Sequence, residues 1–149
     1  MSLKYILSIA LIATFTFSCN SNKSMTKPDT NPSTQLHDIW ALNALNGEEI
    51  KREESNDRQS FPMLEIFVSE KRIGGNDGCN AIFGSIESLD ATSISFGKMG
   101  GTKMMCPDMK LPSAYMKAMG AVTSYKIENL QLHLYNAEGD EVLKFLKVD

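Results

Sequence analysis

This sequence of 149 residues has few histidines, no excess of positive charge and no long apolar run. The formal net charge is −3, so a nucleic-acid-binding role lacks the basic surface that phosphate recognition requires. None of His37, His133 and Asp108 has metal-ligand spacing to a cysteine. The longest nearly unbroken apolar run, residues 5–16, is shorter than the roughly 20 residues that cross a bilayer. These shortages argue against a nucleic-acid-binding protein, a metal site and a transmembrane helix.

The N-terminus is typical of a secretion signal. Lys4 precedes the apolar run 5–16, which has the length of a signal-peptide core. Cys19 follows after two more residues, the second of them the small Ser18, and the chain turns polar after it. This order resembles a bacterial lipoprotein signal, and the resemblance implies that residues 1–18 are removed and that Cys19 is lipidated. Cleavage to a soluble secreted form and retention as an uncleaved anchor are the alternatives.

Lipidation at Cys19 predicts that the mature chain is anchored to a membrane and consists of a tether followed by one domain. Several acyl chains, palmitate among them, anchor far more firmly than one chain does. We therefore expect a membrane-anchored lipoprotein of the bacterial cell envelope, on the periplasmic side. Residues 19–35 are rich in Ser, Thr, Asn and Pro and cannot bury enough apolar surface to offset ordering, so they predict a flexible tether. Residues 36–149 then form one domain.

Short alternating apolar patterns separated by turn signals predict an antiparallel sheet. Asn46 and Gly47 form a strong hairpin signal, and the charged residues 48–58 are expected to be a mobile loop or hairpin arm. The strand patterns cover residues 37–45, 62–68, 72–75, 81–86, 93–96, 122–127, 130–135 and 141–148. In the first and seventh of these, the side chains expected to face inward are Trp40, Leu42, Ala44, Leu130, Leu132 and Leu134.

One helix completes the expected architecture. Apolar residues at three- and four-residue spacing predict it within residues 109–120. Gly97 is expected to end a short strand, and residues 99–105 to be extended and irregular. Many short twisted strands tend to curl. We therefore predict an α+β fold, with a strongly curved antiparallel sheet or partly open barrel of about seven or eight short strands and one main helix.

Several short motifs, taken together in order, resemble the META/HslJ domain family over residues 40–148. The sequence opens a strand with Trp40-Ala41-Leu42, and later places Gly78-Cys79-Asn80 shortly before Phe83-Gly84. Residues 94–97, 102–106, 125–127 and 130–132 continue the match. Met105 stands where the family usually carries alanine. The motif residues are Gly78, Cys79, Asn80, Gly84, Thr102, Met104 and Cys106.

The resemblance implies a cellular location rather than a particular reaction. Members of the family are commonly small envelope proteins, often lipoproteins, and some are linked to heat shock, antibiotic tolerance or parasite virulence. Their fold is described as similar to that of a secretion-system pilot lipoprotein. The family has no established catalytic residues, so the resemblance implies no catalytic site and no cofactor here.

The two cysteines of the domain have three possible roles. An envelope location permits a disulfide between Cys79 and Cys106, and their separation of 27 positions predicts a stabilisation on the order of 3.5 kcal/mol. Two buried thiols packed as small apolar groups are the second possibility. A metal site or a nucleophilic cysteine is the third, and it would need further ligands or a general base beside the sulfur.

Other conspicuous residues also have competing interpretations. Residues 74–78 are rich in glycine, but they lack the Lys-Ser/Thr of a phosphate-binding loop and no helix follows, which favours positive φ angles and a β-bulge. Thr102 is expected to bond the backbone, and His133 to lie on the solvated face of its strand. Six methionines occur between residues 99 and 119. They indicate either adaptable core packing or a soft surface for a partner or acyl chain, with Cu(I) binding as a remote third.

These patterns together predict a non-enzymatic, membrane-anchored envelope protein that acts by binding or as a stress-protective accessory. Its expected contacts are membrane lipid through Cys19, and an envelope protein or an apolar ligand near the methionine-rich stretch. Nucleic acid is not an expected partner. The alternative is a thiol- or metal-dependent redox protein that uses Cys79 and Cys106.

Overall fold

The computed structural model describes residues 31–51 and 61–148. The predicted signal peptide, Cys19 and most of the predicted tether lie outside the described residues, as does the segment 52–60 of the expected charged loop. The helices and strands are α1 (Pro32–Gln35), β1 (Ile39–Leu45), β2 (Glu48–Glu49), β3 (Met63–Phe67), β4 (Arg72–Asn76), β5 (Ala81–Leu89), β6 (Ile94–Gly101), α2 (Lys110–Gly120), β7 (Ser124–Glu128), β8 (Gln131–Tyr135) and β9 (Glu141–Lys147).

Tight turns join most neighbouring strands, as the sequence predicts. Asn46 and Gly47 have φ angles of 49° and 81° and connect β1 to β2, where Leu45 pairs with Glu48. Positive φ at both central residues is the geometry of a type I′ hairpin turn. Glu48–Glu49 of the predicted charged segment therefore pair as a short strand.

The strands form one antiparallel sheet in the order β6-β5-β4-β3-β1-β9-β8-β7, with β2 paired to β1 outside this path. The two outer strands meet at one end, where an isolated antiparallel bridge joins Ser93 and Ser124. Ile94 N donates to Thr123 O at 3.2 Å there. The sheet is thus curled into a half-barrel of eight main strands, and the predicted α+β class is confirmed.

Helix α2 packs on the inner face of the curled sheet, against β1, β6 and β9. Tyr115 is fully buried, and its ring meets Phe145 of β9 edge-on with 6.3 Å between centroids. Trp40 is buried at the start of β1, where its indole Nε1 donates to Leu36 O at 3.0 Å. Other fully buried core residues are Leu42, Leu64, Ile66, Ile73, Ile94, Met119, Leu132 and Leu134.

A bulge in β1 changes which side chains face the core. The pairing of β1 with β9 shifts register between Leu42 and Ala44, and this leaves Asn43 as the extra residue. Because side chains alternate along a strand, one inserted residue reverses the faces beyond it. Leu45 therefore joins the core cluster in place of the predicted Ala44, which is buried outside that cluster.

Two further details of the predicted strands are wrong. Gly97 does not end β6, which continues to Gly101 and pairs with β5 through two register shifts, one of them between the pairs Gly84–Met99 and Ile86–Phe96. At Gly97 an added Cβ would lie 2.5 Å from Ser85 Oγ, so the glycine allows close approach of the strands. Leu130 does not face the core: it lies in the β7–β8 turn with φ 61° and is 66% exposed.

The predicted bulge in the glycine-rich segment is also absent from the pairing of β4. Its residues pair with β3 and β5 without a register shift. Gly75 instead has φ +134°, and a Cβ there would lie 2.0 Å from Met63 O. The glycine is needed for close backbone contact between β3 and β4, and the bulges that curve the sheet lie in other strands.

Candidate functional site

The β4–β5 turn, residues 77–80, is organised by the buried side chain of Asp77. Its Oδ1 accepts hydrogen bonds from Cys79 N at 2.8 Å and from Asn80 N at 2.6 Å. Asn76 Oδ1 accepts from Gly78 N at 3.0 Å, and Gly78 has φ +97°. Side-chain carboxylates and amides that bond the backbone two residues on are characteristic of Asx turns. Asp77 was missed from sequence, although Asn-Asp-Gly is a pattern that could have indicated such a turn.

Asn80 connects this turn to the segment that follows β6. Its Oδ1 accepts from Met104 N at 2.7 Å and from Thr102 Oγ1 at 3.1 Å. Thr102 Oγ1 in turn accepts from Ala81 N at 3.2 Å. The prediction that Thr102 bonds the backbone is therefore confirmed. These bonds hold residues 102–106 against the turn although the segment has no regular secondary structure.

A disulfide joins Cys79 to Cys106 across the same contact, with 6.0 Å between the Cα atoms. The predicted disulfide is thus present, and neither sulfur is a thiolate in this state. Cys79 is buried and Cys106 partly exposed. We call residues 77–80 and 102–106, joined by this bond and by Asn80, the disulfide loop.

The remaining motif residue, Gly84, lies on β5 and pairs with Met99. A Cβ on Gly84 would lie 2.9 Å from Met99 Cγ and 3.3 Å from Ile73 Cγ1. Gly84 therefore gives Met99 room to pack across β5. Six of the seven motif residues lie in the disulfide loop, and Gly84 supports the neighbouring sheet.

Tyr115 is the unusual polar group of the core. Its hydroxyl is buried and has no hydrogen-bond partner among the described residues. Burial raises the pKa of Tyr115, and the negative charge of Asp77 raises it further. The hydroxyl therefore stays protonated across the physiological range. No sequence signal distinguished it from the other apolar positions of α2.

The methionine-rich stretch is divided between core and surface. Met119 is fully buried, and Met99 and Met116 pack against the core. Met104 and Met105, in the disulfide loop, are 55% and 93% exposed. Core packing is therefore correct for the methionines of the helix and β6, and the loop exposes two others as apolar surface.

The histidines lie apart from the disulfide loop. His37 contacts the Phe67 ring edge-on with 5.8 Å between centroids. His133 is on the outward face of β8 as predicted, but it is mostly covered and its Nδ1 lies 2.5 Å from Glu141 Oε2. Asp108 Oδ1 accepts from Lys110 N at the start of α2. Within residues 31–51 and 61–148, no three His, Cys, Asp or Glu residues are grouped so that they could hold a metal ion.

Two observations concern the predicted attachment to a membrane. The predicted lipidation residue, Cys19, lies outside the described residues. Among the described residues, no helix has the length and apolar character needed to cross a membrane.

Comparisons with known proteins agree on the fold. An NMR structure of a protein from Burkholderia xenovorans superposes with a TM-score of 0.60 at 24% identity, covering 97% of each chain. A second NMR structure gives a TM-score of 0.57 at 20% identity, covering 77% of this chain and 93% of the other. At these identities the likeness concerns the fold alone. A search of curated proteins found no match.

The family itself is shown by the sequence. The META domain profile matches residues 34–149, which includes β1 to β9, α2 and the whole disulfide loop. This match agrees with the motif residues that the structure brings together around Asn80. The chain belongs to the META domain family.

Proposed function

We propose that this META domain protein is a lipoprotein of the bacterial envelope, anchored through Cys19, that acts without catalysis by binding a partner at the disulfide loop. The observation that carries the proposal is the exposure of Met104 and Met105 on a backbone that is tied down on both sides. Stress protection, as expected from the family resemblance, would follow from such binding.

The loop has the properties of a prearranged contact surface. Asn80 and the disulfide fix its backbone, so a partner would not have to offset the entropy of ordering it. Met side chains adapt to irregular apolar surfaces because they are unbranched and polarisable. Phe83, on β5 near the loop in sequence, adds a 61% exposed ring. An envelope protein with an apolar contact surface is the partner this chemistry fits best.

The alternative redox role makes a different demand on the loop. It would require Cys79 and Cys106 to cycle through free thiols, whereas the binding role needs the bond closed. Both sulfurs are bonded here, which supports the binding role. If the disulfide of the mature protein stays closed in cells while the protein is bound to its partner, the binding role is favoured over the redox role.

Site-specific photo-crosslinking in living cells tests the proposal. A photoreactive residue at position 105 should give a discrete adduct with an envelope component, in a chain that fractionates with membranes through Cys19. Glu87, also exposed but on β5, provides the matched control position and should give no such adduct. Equal labelling at both positions, or none at 105, would overturn the binding role. Loss of membrane fractionation with Cys19 intact would overturn the anchor.

A further inference from the structure

The end of the half-barrel where the preceding chain enters has an open cavity of about 380 Å³. Thr34 and His37 line it from the segment before β1, and Leu130 lines it from the β7–β8 turn. Trp40 and Ile127 form its apolar wall. Thr34 is three positions after Asn31, the first described residue, and it lines the same cavity as Leu130. The expected tether therefore joins the domain near Leu130.

Three of the six large apolar side chains that are exposed among the described residues lie at this end. Leu130 is 66% exposed, Ile39 41% and Leu146 40%. Leu146 pairs with Ala41 of β1, which places it diagonally across from Ile39 on the outer face. Lys147 N donates to Leu130 O at 2.9 Å, which brings the turn beside the last residues of β9. We call Ile39, Leu130 and Leu146 the tether-end patch.

Leu130 is held in a conformation that suits glycine better. Asn129 and Leu130 have φ angles of 51° and 61° in the two-residue turn between β7 and β8. Such turns favour Asn-Gly because positive φ is unfavourable for residues with a Cβ. The leucine gains little burial here in return, being mostly exposed. An apolar contact outside the domain would account for a leucine at this position, whereas packing within the domain does not.

The charges at this end are paired in a way that favours apolar contact. Lys147 Nζ lies 2.7 Å from Asp38 Oδ2, and Lys126 Nζ lies 2.6 Å from Glu128 Oε2. Each pair combines one positive and one negative charge, which lowers the net charge beside Leu130. Apolar side chains with paired charges beside them suit the interface of a bilayer, where buried apolar area contributes to binding.

The expected anchor places this patch within easy reach of lipid. Asn31 lies 12 positions after Cys19, a span of about 40 Å at full extension. A lipidated Cys19 would keep the domain at an effective concentration on the order of millimolar at the membrane surface. A weak apolar contact is therefore enough to populate a docked state.

We propose that the tether-end patch rests on the lipid bilayer, with Leu130 inserted at the interface, so that the membrane sets the orientation of the domain. This inference rests on the proposed anchoring through Cys19. It names a lipid surface as a second partner, distinct from the partner proposed for the disulfide loop.

The docked orientation points the disulfide loop away from the membrane. His37 lines the tether-end cavity and contacts Phe67, and the Arg72 guanidinium carbon lies 3.5 Å from the Phe67 ring centroid. The Arg72 end of β4 is therefore near the tether end. The disulfide loop begins at the opposite end of β4, where Met104 and Met105 would face the envelope space.

The test uses the full lipidated chain, purified from cell membranes, isotope-labelled and reconstituted in phosphatidylethanolamine–phosphatidylglycerol nanodiscs. A spin label on the lipid headgroups should broaden the amide signals of residues near 39, 130 and 146, and spare those of the disulfide loop. Intact mass reports lipidation separately. A lipidated chain with uniform broadening would overturn the docking while leaving the anchor intact, and an unlipidated chain would overturn both.

Leu130→Gly provides the decisive variant. It removes the inserted side chain and relieves the positive φ, so the thermal midpoint should be unchanged or higher. The ratio of docked to undocked domain should fall about tenfold or more, as expected for loss of one buried leucine. Met105→Ser removes an even more exposed apolar side chain from the far end and should leave the broadening pattern unchanged. Selective broadening that survives Leu130→Gly would overturn the proposed insertion.

Discussion

At the scale of single residues, three side-chain oxygens hold the backbone of the disulfide loop. Asn80 Oδ1 accepts from Thr102 Oγ1 and Met104 N, and Thr102 Oγ1 accepts from Ala81 N. These bonds fix where the exposed methionines lie. Asp77 shapes the turn beneath them. The loop's geometry thus comes from polar side chains, while its surface comes from apolar ones.

Thr102→Val should destabilise the domain by about 1 kcal/mol because it removes the hydroxyl that bonds Ala81 N and Asn80 while keeping the side-chain shape. Thr102→Ser keeps the hydroxyl and is the matched control, expected to retain most of the stability. Urea unfolding of the oxidised proteins measures both. Equal stability of the valine and serine variants would show that the hydroxyl does not hold the loop.

The Tyr115 hydroxyl should make stability depend on pH in the alkaline range. Its pKa is raised in the folded state by burial and then by Asp77, whereas in the unfolded chain it ionises near pH 10. The unfolded state therefore loses a proton first, and the free energy of unfolding should fall as pH rises above about 10. Below that pH the contribution is constant.

Tyr115→Phe isolates this effect. The variant removes a buried hydroxyl that has no partner among the described residues, so stability at pH 7 should be unchanged or about 1 kcal/mol higher. Its stability should also fall less steeply above pH 10 than that of the natural chain. Urea titrations between pH 7 and 11 give the comparison. A steeper fall in the variant would contradict the assignment of a buried, neutral tyrosine.

At the scale of elements, close contact between β3 and β4 requires glycine at position 75. The Gly75→Ala variant would place a Cβ 2.0 Å from Met63 O at a φ of +134°, so it should cost about 3 kcal/mol or more. Gly120→Ala, at the end of α2 with nothing within 4 Å, is the control and should be neutral or slightly stabilising. Thermal unfolding measures both variants, and a neutral Gly75→Ala would contradict the backbone placement.

The elements also show what could be predicted from the sequence. Hairpins and α2 could be predicted from alternation, turn residues such as Asn46-Gly47 and helical spacing, because those signals act within a few residues. The bulge at Asn43 and the continuation of β6 past Gly97 depend on partner strands distant in sequence. Leu130 was placed in the core because its alternation with Leu132 continues into a turn whose geometry would ordinarily take glycine.

At the scale of the whole molecule, the half-barrel separates two surfaces. The disulfide loop lies at the far end of β4, and the tether-end patch lies where the chain from Cys19 arrives. The disulfide loop could be anticipated from sequence, because it contains six of the seven motif residues of the family resemblance. The second could not be predicted from sequence, since Ile39, Leu130 and Leu146 come together only through the pairing of β1, β8 and β9.

The intact mass of the protein extracted from cell membranes, alkylated under denaturing conditions without reductant, tests the proposed function most directly. We expect a chain that begins at Cys19, carries acyl chains there, and takes up no alkylating reagent because Cys79 and Cys106 are bonded. An unacylated chain would contradict the membrane anchor. Two alkylated cysteines would contradict the closed loop on which the exposed methionines are presented.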